Sequence, residues 1–92
     1  MTVERLLNNI GKAVFVKYYY NFRDKSRDYC ITHIVENFTE KAKSSRTGHA
    51  QAIFKVNNER EALMNIVSSK RLSEDIREEA KRILTIEFGV EI

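Results

Sequence analysis

The segment from Ile10 to Phe22 constrains the fold of this chain more than any other segment. Its apolar and aromatic side chains recur at helical spacing, and a helix built from it carries such side chains on almost every side. Only a narrow line through Lys17 and Asn21 is polar. A helix that is apolar on nearly all sides has to be surrounded by other elements. We therefore predict that residues 12–23 form a central helix on which the rest of the chain packs.

The rest of the sequence predicts an all-α fold, a compact bundle of five to six short helices in a single domain, residues 1–92. Proline is absent and no short hairpin turn signal is present, which disfavours a sheet protein. Apolar stripes between capping residues set the predicted helices. These are residues 3–10, 12–23, 27–38 and 45–56, a fifth helix opened by a capping box of Asn58 and Glu61, and a sixth between Ser73 and Gly89.

A strand is the alternative interpretation of the central segment. Residues 14–22 also alternate in a way that suits a strand, and the segment from Leu84 to Ile92 is the one plausible partner. That pairing would give an α+β fold with a small two-stranded sheet. Two strands alone make a marginal sheet, so we favour the helix.

Composition indicates a small globular protein. Hydrophobic residues make up 42% of the chain and charged residues 32%, which is ordinary for a folded domain. No apolar run of about 18 residues is present, and the start lacks a secretory signal, so we expect no membrane partner. Cys30 is the single cysteine, which excludes an internal disulfide and suits a reducing compartment. We expect a cytoplasmic protein.

Charge is distributed unevenly along the chain. Residues 1–58 hold ten Lys and Arg against five Asp and Glu, whereas residues 59–92 hold six against eight. Between positions 41 and 58 there are four basic residues and no acid. Such an asymmetry predicts one electropositive face, as is found on proteins that bind nucleic acid.

The third and fourth predicted helices resemble a loose helix–turn–helix unit, about residues 27–56. In that general motif the first turn of the second helix contacts bases and phosphates, and free amides there attract phosphate oxygens. We predict a small DNA-binding protein, with DNA favoured over RNA, whose Arg46→Ala variant binds DNA more weakly. The predicted nucleic-acid contacts are Lys41, Lys43, Ser45, Arg46, Thr47, His49 and Lys55.

A protein partner is the alternative function. The same basic face suits an acidic surface on another protein, so the chain is alternatively a protein–protein interaction module or an inhibitor. Val16 and Tyr20 lie on the flank of the central helix that its core does not use, and they form a candidate partner interface. A second copy of the chain, in a homodimer, is one candidate occupant of that interface.

An enzyme is the least supported class. Cys30 and His33 stand at helical spacing, but with His49 they make only three of the four ligands that a structural zinc site needs. No phosphate-binding loop, nucleophile–base set or carboxylate pair is present. We therefore expect no catalytic residue, no metal and no cofactor.

Overall fold

The structure, a computed structural model, describes residues 2–91, and these residues form seven α-helices. The helices are α1 (Val3–Ile10), α2 (Lys12–Lys17), α3 (Tyr19–Asp24), α4 (Arg27–His33), α5 (Glu40–Lys55), α6 (Glu59–Val67) and α7 (Glu74–Phe88). The all-α prediction is confirmed. There is one helix more than the upper estimate of six, because the second predicted helix is divided in two.

Local capping fixes several helix ends where the sequence places them. The side-chain oxygens of Thr2, Ser26 and Ser73 accept hydrogen bonds from amides in the first turns of α1, α4 and α7. At the other end of α7, Gly89 adopts the left-handed conformation at φ 66°. Val90 then folds back, and its amide donates to the carbonyl oxygen of Leu84.

The predicted central helix breaks at Tyr18. Its backbone leaves helical geometry at φ −109° and ψ 21°, and this separates α2 from α3. The Tyr18 hydroxyl makes two hydrogen bonds at this break. It donates to Glu36 Oε1 at 2.6 Å and accepts from the Val35 amide at 3.0 Å. A tyrosine that is 8% exposed needs such partners for its hydroxyl, and here they come from the link after α4.

The boundary between α4 and α5 differs from the prediction. The sequence predicts a third helix that reaches Phe38, but α4 ends at His33, because the Val35 amide binds Tyr18 instead of continuing the helix. The sequence places the start of the next helix near Ser45, whereas α5 begins at Glu40, because the Thr39 side chain accepts from the Ala42 amide and caps the helix. The polar segment interpreted as a link is therefore the first turns of α5.

The core combines the aromatic segment with α5. Phe15, Tyr19 and Phe22 are almost fully buried, and Phe54 of α5 joins them with its ring centroid 5.7 Å from that of Phe15. Helix α5 packs against α1, α3, α4 and α6. The predicted segment is therefore at the core, but α5 shares the central position with it.

The two-stranded alternative is not supported. Residues 84–88 belong to α7, and no strand is present between residues 2 and 91. Ile92, the last residue of that predicted strand, lies outside the described residues. The predicted capping box is also wrong, since Asn58 caps α6 without a side-chain hydrogen bond. Among the helices of residues 2–91, none is long and apolar enough to cross a lipid bilayer.

Candidate nucleic-acid interface

Helix α5 presents one polar stripe to solvent. Lys41, Ser45, Gly48, Ala52 and Lys55 follow one another at intervals of three or four residues, so they lie on one side of the helix. The two lysines and the serine are exposed, and the two small residues between them are half-buried. We call these five residues the α5 stripe. Of the predicted nucleic-acid contacts, it aligns Lys41, Ser45 and Lys55.

Arg27 of α4 adds a third cation to the stripe. Its Nη2 donates to the carbonyl oxygen of Ser44 at 3.1 Å and to Ser44 Oγ at 3.0 Å. The guanidinium lies over Gly48, where a Cβ atom would stand 3.2 Å from Nη2 and 3.4 Å from Cζ. A glycine in this helix interior is unfavourable by about 1 kcal/mol relative to alanine. Because it has no side chain, Gly48 leaves room for the guanidinium. The unexplained glycine within a predicted helix was the only sequence signal for this contact.

Arg46 does not lie on the stripe. Its Nη1 donates to the carbonyl oxygen of Ile10 at 2.7 Å, at the end of α1. Its guanidinium also lies over the Phe38 ring, with Cζ 3.9 Å from the ring centroid. The residue assigned to base contact therefore joins α1, α5 and the α4–α5 link inside the molecule. The direction of the Arg46 side chain is set by its contact with α1. A contact between helices that are distant in sequence cannot be predicted from the local sequence pattern.

Three other predicted contacts also fall away from the stripe. Thr47 is 0% exposed, so its hydroxyl is closed to any ligand on the surface. Lys43 is half-buried and, two residues after Lys41, faces the other side of the helix. His49 is half-buried at the edge, where its Nδ1 lies 2.7 Å from the carbonyl oxygen of Ser45.

The opening amides of α5 are not where they were predicted. Residues 45–47 lie within the helix, where their amides take part in the backbone ladder. The true first turn carries Glu40, and the Thr39 side chain already occupies the Ala42 amide. A phosphate at this helix start would meet an acidic residue. The stripe along the helix, and not its start, is therefore the surface suited to an anion.

Among residues 2–91, the cations of the stripe have no carboxylate partners. Within residues 2–91, no ion pair involves Arg27, Lys41 or Lys55. The ion pairs there use other cations, namely Lys12, Lys17, Arg23, Lys81 and Arg82. Positive charge that is already compensated attracts a polyanion less than free charge does.

An exposed aromatic pair lies on the other flank of α4. The rings of Tyr29 and His33 stack with centroids 3.8 Å apart, and Lys25 Nζ lies 5.2 Å from the Tyr29 centroid. Tyr29 is two residues after Arg27, which places it on the opposite side of the helix. The pair is therefore separate from the stripe. Between them, Cys30 is buried with Sγ 3.1 Å from the Asn21 carbonyl oxygen, and burial raises the pKa of its thiol.

The predicted partner interface divides into a buried and an exposed residue. Val16 is 5% exposed and lines a groove between α2 and α7 together with Ala13 and Ile76. Tyr20 is 39% exposed. Its hydroxyl donates to Glu87 Oε2 at 3.2 Å, so contacts within the chain hold its ring beside α7.

Comparison with models of known protein families, with curated proteins and with solved structures finds no match to the chain. Three cations define the chemistry of the surface. These are Lys41 and Lys55 on the exposed face of α5 and Arg27 of α4, which lies over Gly48 of that face.

Proposed function

We propose that the protein binds nucleic acid through the phosphate backbone, using the α5 stripe and Arg27. The observation that carries this proposal is the alignment of three cations that have no carboxylate partner in residues 2–91. Phosphate contacts supply most of the sequence-independent affinity of nucleic-acid-binding proteins.

The dimensions of the stripe suit a backbone. Lys41 and Lys55 are separated along α5 by about 21 Å at a rise of 1.5 Å per residue. That is roughly six base steps of a B-form strand at 3.4 Å each. Arg27 projects between them, and the small residues Ser45 and Ala52 let a strand approach the helix closely. The binding element is still the unit of residues 27–56, but the proposed contacts run along its second helix.

Backbone contact predicts binding that depends weakly on sequence and strongly on salt. Three phosphate contacts correspond to a slope of about −2.7 in a plot of log affinity against log salt concentration, at about −0.9 per contact. DNA is the first ligand to test, and a matched RNA follows because both carry the same phosphates. We propose no catalytic role for these residues.

The test is fluorescence anisotropy with a labelled DNA duplex of mixed sequence, titrated at several salt concentrations. We expect Lys41→Gln/Lys55→Gln to weaken binding and to reduce the magnitude of the salt slope by about 1.8, two contacts' worth. The matched control is Lys81→Gln/Arg82→Gln on α7, where both cations are already paired with glutamates. Each double variant lowers the net charge from +3 to +1.

The control separates a specific face from a general effect of charge. If both double variants lose the same affinity, net charge alone explains binding and the stripe is not the site. If the unmodified protein fails to bind DNA or RNA at low salt, the proposal is wrong altogether.

A protein partner is the second candidate, favoured by the groove beside Val16. The groove has a volume of about 320 Å³, and it is lined by the apolar residues Ala13, Val16 and Ile76 and by the charged residues Lys17, Asp75 and Glu79. Light scattering of the purified protein tests whether a second copy covers it. A dimer that Ile76→Asp dissociates supports this use of the groove, and a monomer at high concentration excludes a stable homodimer.

A further inference from the structure

A cleft of about 350 Å³ opens where α3, the turn from α5 to α6 and the end of α7 meet. Pockets of this size hold small molecules. Three aromatic rings and three charged groups line it, from Tyr19, Phe54 and Phe88 and from Arg23, Glu59 and Glu87. The cleft shares no residue with the α5 stripe, so it is a separate candidate site.

The arginine of the cleft is already neutralised. Arg23 Nε donates to Asp24 Oδ1 at 2.8 Å, and Nη1 donates to Glu87 Oε1 at 2.6 Å. The second oxygen of Glu87 accepts from the Tyr20 hydroxyl at 3.2 Å. These groups form a closed network of opposite charges. An anionic ligand would have to displace a carboxylate from Arg23, which makes the cleft unsuited to anions.

Glu59 is the charged group of the cleft that takes part in no ion pair with the described residues. Its Oε2 is buried, and no donor in residues 2–91 binds it. It stands in the first turn of α6. Glu59 and Tyr19 line the same cleft, and burial first and the charge of Glu59 second raise the pKa of Tyr19. A buried acceptor that lacks a donor is unfavourable, and a turn of the Glu59 side chain toward the cleft would let a ligand donate to it.

We propose that this cleft binds a small organic cation, a primary amine whose ammonium group donates to Glu59 and whose apolar part packs on the aromatic rings. Ring faces attract cations, and Phe54 and Phe88 line the same cleft as Glu59. The three charged lining groups sum to −1, since one arginine stands against two glutamates. Charge, aromatic surface and the unsatisfied oxygen all select the same class of ligand.

Nuclear magnetic resonance titration of the full chain with phenethylamine tests the proposal. We expect saturable shifts at the amides of Tyr19, Asn57, Glu59 and Phe88. Phenylethanol, which replaces the amine by a hydroxyl, should bind at least about tenfold more weakly, a difference of about 1.4 kcal/mol. Glu59→Gln should weaken phenethylamine binding by a similar factor.

The matched control is Glu61→Gln, which removes an exposed carboxylate from the same turn of α6. It should bind phenethylamine as the unmodified protein does, and melting curves confirm that both variants are folded. Equal binding of the alcohol and the amine, an equal effect of the two substitutions, or no saturation up to about 10 mM would each overturn the proposal.

Discussion

Arg46→Ala should lower the free energy of unfolding, because Arg46 contacts other residues of the chain. The substitution removes the hydrogen bond from Nη1 to the Ile10 carbonyl oxygen and the contact of the guanidinium with the Phe38 ring. It also leaves the end of α1 without its donor. The change therefore acts on the junction between α1 and α5, and no ligand is involved.

The two lost contacts set the magnitude. A hydrogen bond from a charged donor contributes about 1.5–3 kcal/mol to stability. A cation–π contact adds about 0.5–2 kcal/mol. Since neighbouring contributions are not additive, we expect a loss of about 2–4 kcal/mol. For a domain of this size each kcal/mol shifts Tm by about 4–8 °C, so Tm should fall by about 8–32 °C.

The assay is thermal and urea unfolding followed by circular dichroism. Arg46→Lys should be intermediate, because lysine keeps a charged donor but loses the planar group that lies on the Phe38 ring. Lys41→Ala, on the exposed side of the same helix, is the control and should stay within about 0.5 kcal/mol of the unmodified protein. An Arg46→Ala variant with unchanged Tm and lost DNA binding would refute this reasoning and return Arg46 to the ligand surface.

Three further predictions concern single side chains. Thr47→Val should raise stability by about 1 kcal/mol in a melting experiment, since the buried hydroxyl has no hydrogen-bond partner in residues 2–91, and a lower Tm would contradict this. Tyr18→Phe should lower stability by about 1–3 kcal/mol and speed hydrogen exchange of the Val35 amide, which loses its acceptor; unchanged exchange would show that the hydroxyl does not hold the link. Although burial opposes it, the hydrogen bonds from Tyr18 and Lys17 hold the pKa of Glu36 below its ordinary value of 4.5. The ionised Glu36 side chain therefore stabilises the fold above pH 4.5, and this stabilisation is lost as the pH falls through the lower pKa of the folded state. On acidification, Tm should fall less steeply in Glu36→Gln than in the unmodified protein. Parallel profiles of Tm against pH would contradict this.

The sequence predicts the parts of the fold that depend on neighbours along the chain. Thr2, Ser26 and Ser73 cap helices by bonding amides three residues away, so their effect is visible in a short window. Thr39 followed by Glu40 has the same form as Ser73 followed by Glu74. That similarity was the available signal for the true start of α5.

The parts that sequence reasoning missed depend on distant residues. The break at Tyr18 and the end of α4 both arise from hydrogen bonds between distant positions. The Tyr18 hydroxyl binds Val35, which is 17 positions later, and Glu36, which is 18 positions later. The direction of Arg46 is set by a carbonyl oxygen 36 positions earlier. Composition identified the basic segment, but only the packing of α1 against α5 decides which of its cations face solvent. Tertiary contacts therefore reduced the seven proposed contacts to three on the exposed stripe.

The absent side chain at position 48 has a consequence for engineering this protein. Exchanging glycine for alanine inside a helix is a standard way to raise thermal tolerance. At this position the added methyl group would press on the guanidinium of Arg27, whose nitrogen would be 3.2 Å away. A Gly48→Ala variant with a higher Tm would hold Arg27 less firmly against Ser44. At this position, thermal stability and the order of the cationic surface therefore depend in opposite ways on one added carbon atom.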